Sequence, residues 1–79
     1  MDYTRHHIVP SSRGGEETCM LPKEFHEMWH KMFCNLTPEE IIIFVEEIQI
    51  LMLTEREITW GVIHLLREEI KSGFIAGRD

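Results

Sequence analysis

Arg5-His6-His7-Ile8-Val9-Pro10-Ser11-Ser12-Arg13-Gly14-Gly15, followed by Leu21-Pro22-Lys23-Glu24-Phe25-His26-Glu27-Met28-Trp29-His30, is the part of this 79-residue chain that decides its fold. Arg5 to Val9 ends in a β-branched pair before a proline, and Thr18 to Leu21 is short and apolar, so both read as strands. Between them Ser-Ser and Gly-Gly mark a loop from Pro10 to Glu17. Two strands alone are marginal in water and need a helix to cover them. Pro22 to Phe33 supplies one, with proline at its first position and Phe25, Met28, Trp29, Met32 and Phe33 spaced along one side. Asn35 is expected as a left-handed C-cap, with Leu36 packing back on the last turn.

The histidines are paired in a way that suggests chemistry. On a helix, residues four apart lie one above the other, so His26 and His30 can direct their rings at one ion. A third imidazole from the strand would make a three-histidine site with an open position, as in catalytic centres. Side chains alternate across a strand, so only one of the adjacent His6 and His7 can face that ion. We assign His6 to the metal and leave His7 beside it as a base, a task suited to histidine because its ordinary pKa lies near ambient pH. Three nitrogen ligands favour zinc; magnesium, manganese or nickel are alternatives for activity. Cys34 continues the i, i+4 series, and either it or Cys19 as a fourth ligand would close the site into a structural zinc knot. Arg13, beside Gly14-Gly15, is a candidate phosphate clamp or else a solvated loop charge. His64 sits alone and reads as an ordinary helix residue; Phe25 and Trp29 read as core rather than as a base-stacking platform.

Beyond the first module, Thr37-Pro38-Glu39-Glu40 is a capping box, and Thr54-Glu55-Arg56-Glu57 repeats the Thr-x-x-Glu pattern. The spacing predicts helices over 38–51 and about 55–71. The first is apolar on nearly every side; the second places Ile58, Val62, Leu65, Leu66 and Ile70 on one stripe and ends at Gly73. A hairpin of these helices packed on the N-terminal module is the simplest arrangement. If the first instead exposes its apolar face, a homodimer or a partner protein would cover it.

Composition bounds the remaining choices. A chain this short builds one core, and a metal would help hold it. Apolar residues make up 43% and charged residues 28%, the balance of a globular protein. No apolar run approaches the roughly 18 residues of a membrane span. The first residues lack the basic start and apolar stretch of a secretory signal, which leads us to expect a cytoplasmic location. Two cysteines do not form a disulfide framework. The net charge of −6 would argue against nucleic acid, but it is unevenly placed. Residues 1–36 carry four basic and five acidic groups, whereas residues 37–79 carry four and nine.

The quoted stretches resemble the HNH endonuclease family, the ββα-metal fold, over Arg5 to about Asn35. The first is similar to that family's His-His, Ile, Pro, Ser-Arg-Gly-Gly signature, and the second to the helix that closes the site. The pattern is most like that of the nuclease colicins. The resemblance implies a ββα-metal module over 1–36, which with the acidic helical hairpin read over 37–79 makes an α+β chain. It also implies His6, His26 and His30 as ligands of one divalent ion, His7 as general base, and a nucleic-acid substrate, DNA before RNA. A module this small has little surface for sequence reading, so weak specificity is expected. One position departs from the family: nine residues before His26, where an asparagine is usual, stands Glu17. The alternative is a catalytically reduced HNH-like zinc protein whose acidic helical tail binds a partner as inhibitor or regulator.

Overall fold

A computed structural model describes residues 2–73. The chain is of the α+β class, its described residues forming a two-stranded antiparallel sheet and three α-helices, and divides into two compact units, Met1–Pro38 and Glu39–Asp79. Among the described residues no helix is long and apolar enough to cross a membrane.

In the first unit β1 (Tyr3–His7) pairs with β2 (Thr18–Pro22). Arg5 lies opposite Met20, His6 opposite Cys19 and His7 opposite Thr18. The first strand therefore starts and ends two residues earlier than the sequence predicts. Ile8 and Val9 leave the ladder because the chain turns at Pro10, where carbonyl oxygen accepts from both Arg13 N–H and Gly15 N–H. A single 3-10 turn, Ser11–Arg13, follows and closes at Gly14 in the left-handed region, φ +86°. Gly15 has a different reason to be glycine. A Cβ there would lie 1.7 Å from the Val9 carbonyl oxygen, so only a residue without a side chain fits.

Helix α1 runs Lys23–Phe33, with Pro22 as the residue before it rather than within it. Its apolar stripe divides instead of burying as one face. Trp29 and Phe33 are partly covered and meet edge to face, with ring centroids 4.6 Å apart. Phe25, Met28 and Met32 are exposed, so Phe25 is a surface aromatic and not core. The positive φ at the helix end belongs to Cys34 (+49°), not to Asn35, and Leu36 N–H donates back to the Phe33 carbonyl.

In the second unit α2 spans Pro38–Leu53 and α3 spans Trp60–Lys71. The Thr54-Glu55-Arg56-Glu57 box does not start α3. The Thr54 hydroxyl donates back to the carbonyls of Ile50 and Leu51, which terminates α2, and Glu55 takes a positive φ of +55°. Thr59 is the N-cap, its hydroxyl accepting from Val62 N–H. Starting later, α3 buries Ile63, Leu66, Arg67 and Ile70 and exposes Leu65, one of the expected stripe residues. It ends as expected at Gly73, in the left-handed region with its N–H donating to Ile70. On α2 only Phe44 is buried, whereas Ile42, Val45, Ile50, Met52 and Leu53 are exposed.

Candidate metal centre

Alternation along β1 points Thr4 and His6 to the face covered by α1, where His6 is only 6% exposed. The helix contributes His26 and His30 one turn apart. The three rings converge: centroids are 5.0 Å apart for His6 and His26, 5.5 Å for His6 and His30, and 4.6 Å for His26 and His30. One nitrogen from each lies within 4.8 Å of the others, close enough for a metal ion to bind all three. Trp29 stands edge-on to His6 at 5.7 Å and closes the inner side.

The hydrogen bonds around the rings decide which nitrogens face inward. His30 Nδ1 lies 3.3 Å from the Cys34 carbonyl oxygen, and since a carbonyl only accepts, Nδ1 carries the proton. His30 Nε2 is then left with a lone pair. It lies 2.8 Å from His26 Nε2, while His26 Nδ1 lies 2.6 Å from the Thr4 hydroxyl. A hydroxyl can donate or accept, so Thr4 can support either tautomer of His26. As a relay, Thr4 donates to His26, which donates to His30, which donates to Cys34. With both Nε2 atoms on an ion, His26 Nδ1–H would donate to Thr4 instead, the outer-shell pattern usual for metal-bound imidazole. Two ligands of a tetrahedral zinc sit about 3.3 Å apart, so the pair needs only a few tenths of an ångström to adjust.

His6 supplies the test of fit. Its Nδ1 is buried with no hydrogen-bonding partner among the described residues. An orphaned buried nitrogen costs free energy, of order 1–3 kcal/mol, unless something binds it. A cation at this cluster would do so, and the all-imidazole donor set suits zinc. Burial lowers the His6 pKa below the ordinary histidine value, and the neighbouring His26, His30 and His7 lower it further. His6 therefore stays neutral, the form that ligates.

Beside the cluster an open cavity of about 360 Å³ is lined by Arg5, His7, Pro10, Ser11, Ser12, His26, His30, Cys34 and Asn35. His7 thus borders the same space as two of the three candidate ligands, although alternation sets it on the opposite face from His6. Among the described residues the sheet has two strands, so β1 is an edge and residues of both faces can border the space alongside it. Arg13, a candidate phosphate clamp or solvated charge by sequence, is not among the lining residues, but its guanidinium donates at 3.3 Å to the carbonyl of Asn35, which is. Arg5, the first residue of the quoted stretch, does line the cavity.

Neither cysteine joins the cluster. Cys34 meets His30 through its carbonyl and lines the adjoining cavity without being one of the converging groups, and neither is Cys19, opposite His6 on β2. Glu17 stands at the end of the loop between the strands. Its side chain is exposed, and its main-chain carbonyl accepts from Ile8 N–H at 3.1 Å, so the backbone braces the start of the loop. Thr4 is the contributor the sequence did not reveal. Its position two residues before His6, on the same strand face, was the available signal.

Compared with protein-family models, curated proteins and solved structures, the chain matches none.

Proposed function

We propose that the chain is an HNH-type endonuclease that uses one divalent ion, zinc before magnesium, manganese or nickel, to hydrolyse nucleic-acid phosphodiesters. His6, His26 and His30 are its ligands and His7 its general base. The observation that carries this reading is the convergence of the three imidazoles, with one buried His6 nitrogen unpartnered among the described residues and His7 on the adjoining open cavity. When bound, the ion would stabilise negative charge on the phosphate and the leaving oxygen. His7 takes the proton from the attacking water. Thr4 and the Cys34 carbonyl hold His26 and His30 in place. The open side admits a substrate, which a four-ligand zinc knot would exclude.

The test is plasmid nicking with zinc, magnesium, manganese or nickel. His7→Ala should abolish cleavage while elemental analysis still finds about one ion per chain. Absence of cleavage by the unaltered protein with all four metals would overturn the reading. A second reading, a catalytically reduced HNH-like zinc protein that binds a partner or itself, is favoured by the exposed Ile42, Met52 and Leu53 of α2 in an acidic segment. It predicts the same bound metal, no cleavage, and a mass in solution above that of the monomer or a partner on the C-terminal helices.

A further inference from the structure

The sheet face turned away from α1 has a composition of its own. The register places Tyr3, Arg5 and His7 on it from β1, with Pro22, Met20 and Thr18 opposite them. None of the six is acidic, although the chain as a whole is. Tyr3 is 55% exposed and Met20 56% exposed, and Arg5 is exposed as well. Alternate residues of a strand stand about 7 Å apart, so an aromatic ring, a guanidinium and an imidazole follow one another at regular intervals. The row leads to the cavity, which Arg5 and His7 both line beside His26 and His30.

We infer that this row is a track for a single polynucleotide strand, with Tyr3 stacking a base and Arg5 gripping a backbone phosphate so that a neighbouring phosphate reaches His7. The inference rests on the proposed endonuclease reading and assigns its substrate form. Stacking on an exposed aromatic ring beside a phosphate-binding cation is how single strands are held without sequence preference. A base paired in a duplex has its faces covered by neighbours, so Tyr3 would have nothing to stack on. Arg5 is well suited to phosphate because its planar fork can make paired hydrogen bonds. None of the six residues brings a carboxylate onto the row itself, the exposed Asp2, Glu16 and Glu17 lying beyond its ends in the chain.

Fluorescence anisotropy with a labelled single-stranded DNA oligonucleotide, the same sequence as RNA, and its DNA duplex provides the test. Binding is titrated with zinc-loaded protein between about 50 and 200 mM salt. Single strands, DNA or RNA, should bind more tightly than the duplex. Tyr3→Ala should weaken binding at least about fivefold with the salt dependence unchanged, and Tyr3→Phe should restore it. Arg5→Gln should weaken binding and flatten the slope of log affinity against log salt by about 0.7, one phosphate contact on a single strand. Both side chains are exposed, so circular dichroism and zinc content should remain those of the unaltered protein.

A preference for duplex, or Tyr3→Ala and Arg5→Gln both binding as the unaltered protein does, would overturn the inference. The two readings separate cleanly. Single-strand binding that depends on Tyr3 and Arg5 without any cleavage keeps the track and removes the nuclease; cleavage whose KM ignores both residues keeps the nuclease and removes the track.

Discussion

Replacing Thr4 by valine tests the metal centre at the contact that only the structure reveals. The substitution keeps the β-branched shape in the strand and removes the hydroxyl that lies 2.6 Å from His26 Nδ1. Without metal, the lost contact is a neutral hydrogen bond, worth about 0.5–1.5 kcal/mol. With both Nε2 atoms on a cation, His26 Nδ1–H is polarised, and its bond to Thr4 approaches the charged class at about 1.5–3 kcal/mol. Affinity responds to the difference, about 1–1.5 kcal/mol, so zinc binding should weaken roughly tenfold. That figure falls at the lower edge of the roughly 10–100-fold losses seen when outer-shell partners of metal ligands are removed. Competition against a chromogenic zinc chelator measures it directly, and Thr4→Ser should retain most of the affinity. If Thr4→Val and the unaltered protein bind zinc within about twofold of one another, Thr4 does not orient a metal ligand.

Two further outcomes follow from the same unit. Gly15→Ala should be far more damaging than Gly14→Ala. The first drives a methyl group into the Val9 main chain and should cost more than about 3 kcal/mol, while the second has open space and only an unfavourable φ, at about 1 kcal/mol; thermal denaturation of the two variants ranks them. Acid should destabilise the metal-free protein through His6, whose folded pKa lies below its ordinary value, chiefly from burial. The unfolded chain then takes up the proton first. The His6 contribution is present in full above about pH 6.5 and is lost as pH falls through the folded value. Urea midpoints measured across that window should fall on acidification, and His6→Gln should show a flatter dependence.

Most of the candidate site was legible because it obeys local geometry. His26 and His30 meet because a helix turns once in about four residues, and His6 faces them because strand residues alternate. The elements themselves were legible where the signals were short-range, with Pro38 opening α2, Gly73 closing α3 and Pro22 marking the start of α1 to within one residue, whereas β1 ends at His7 before Pro10 is reached. The start of α3 was not. Thr54 and Thr59 both carry a hydroxyl able to cap, and which one does so depends on where α2 stops, since Thr54 donates backward to Ile50 and Leu51. Likewise the spacing of Phe25, Met28, Trp29, Met32 and Phe33 marks an apolar side of α1 but not how much of it a two-stranded ribbon can cover. Two strands are narrow, so Trp29 and Phe33 are sheltered while Phe25 and Met28 remain in solvent.

The sequence by itself determined the α+β class, the order of strand, strand and helix, and the three imidazoles able to share an ion, because periodicity and turn chemistry act within a few residues. Only the tertiary structure decided which side chains stand around those imidazoles. It set Thr4 against His26, turned Arg13 toward Asn35, brought Arg5 to the cavity and left the Cys34 sulfur out of the cluster. Contacts of that kind join residues about twenty apart in the chain, and they depend on how a helix lies across a strand, which no local pattern encodes.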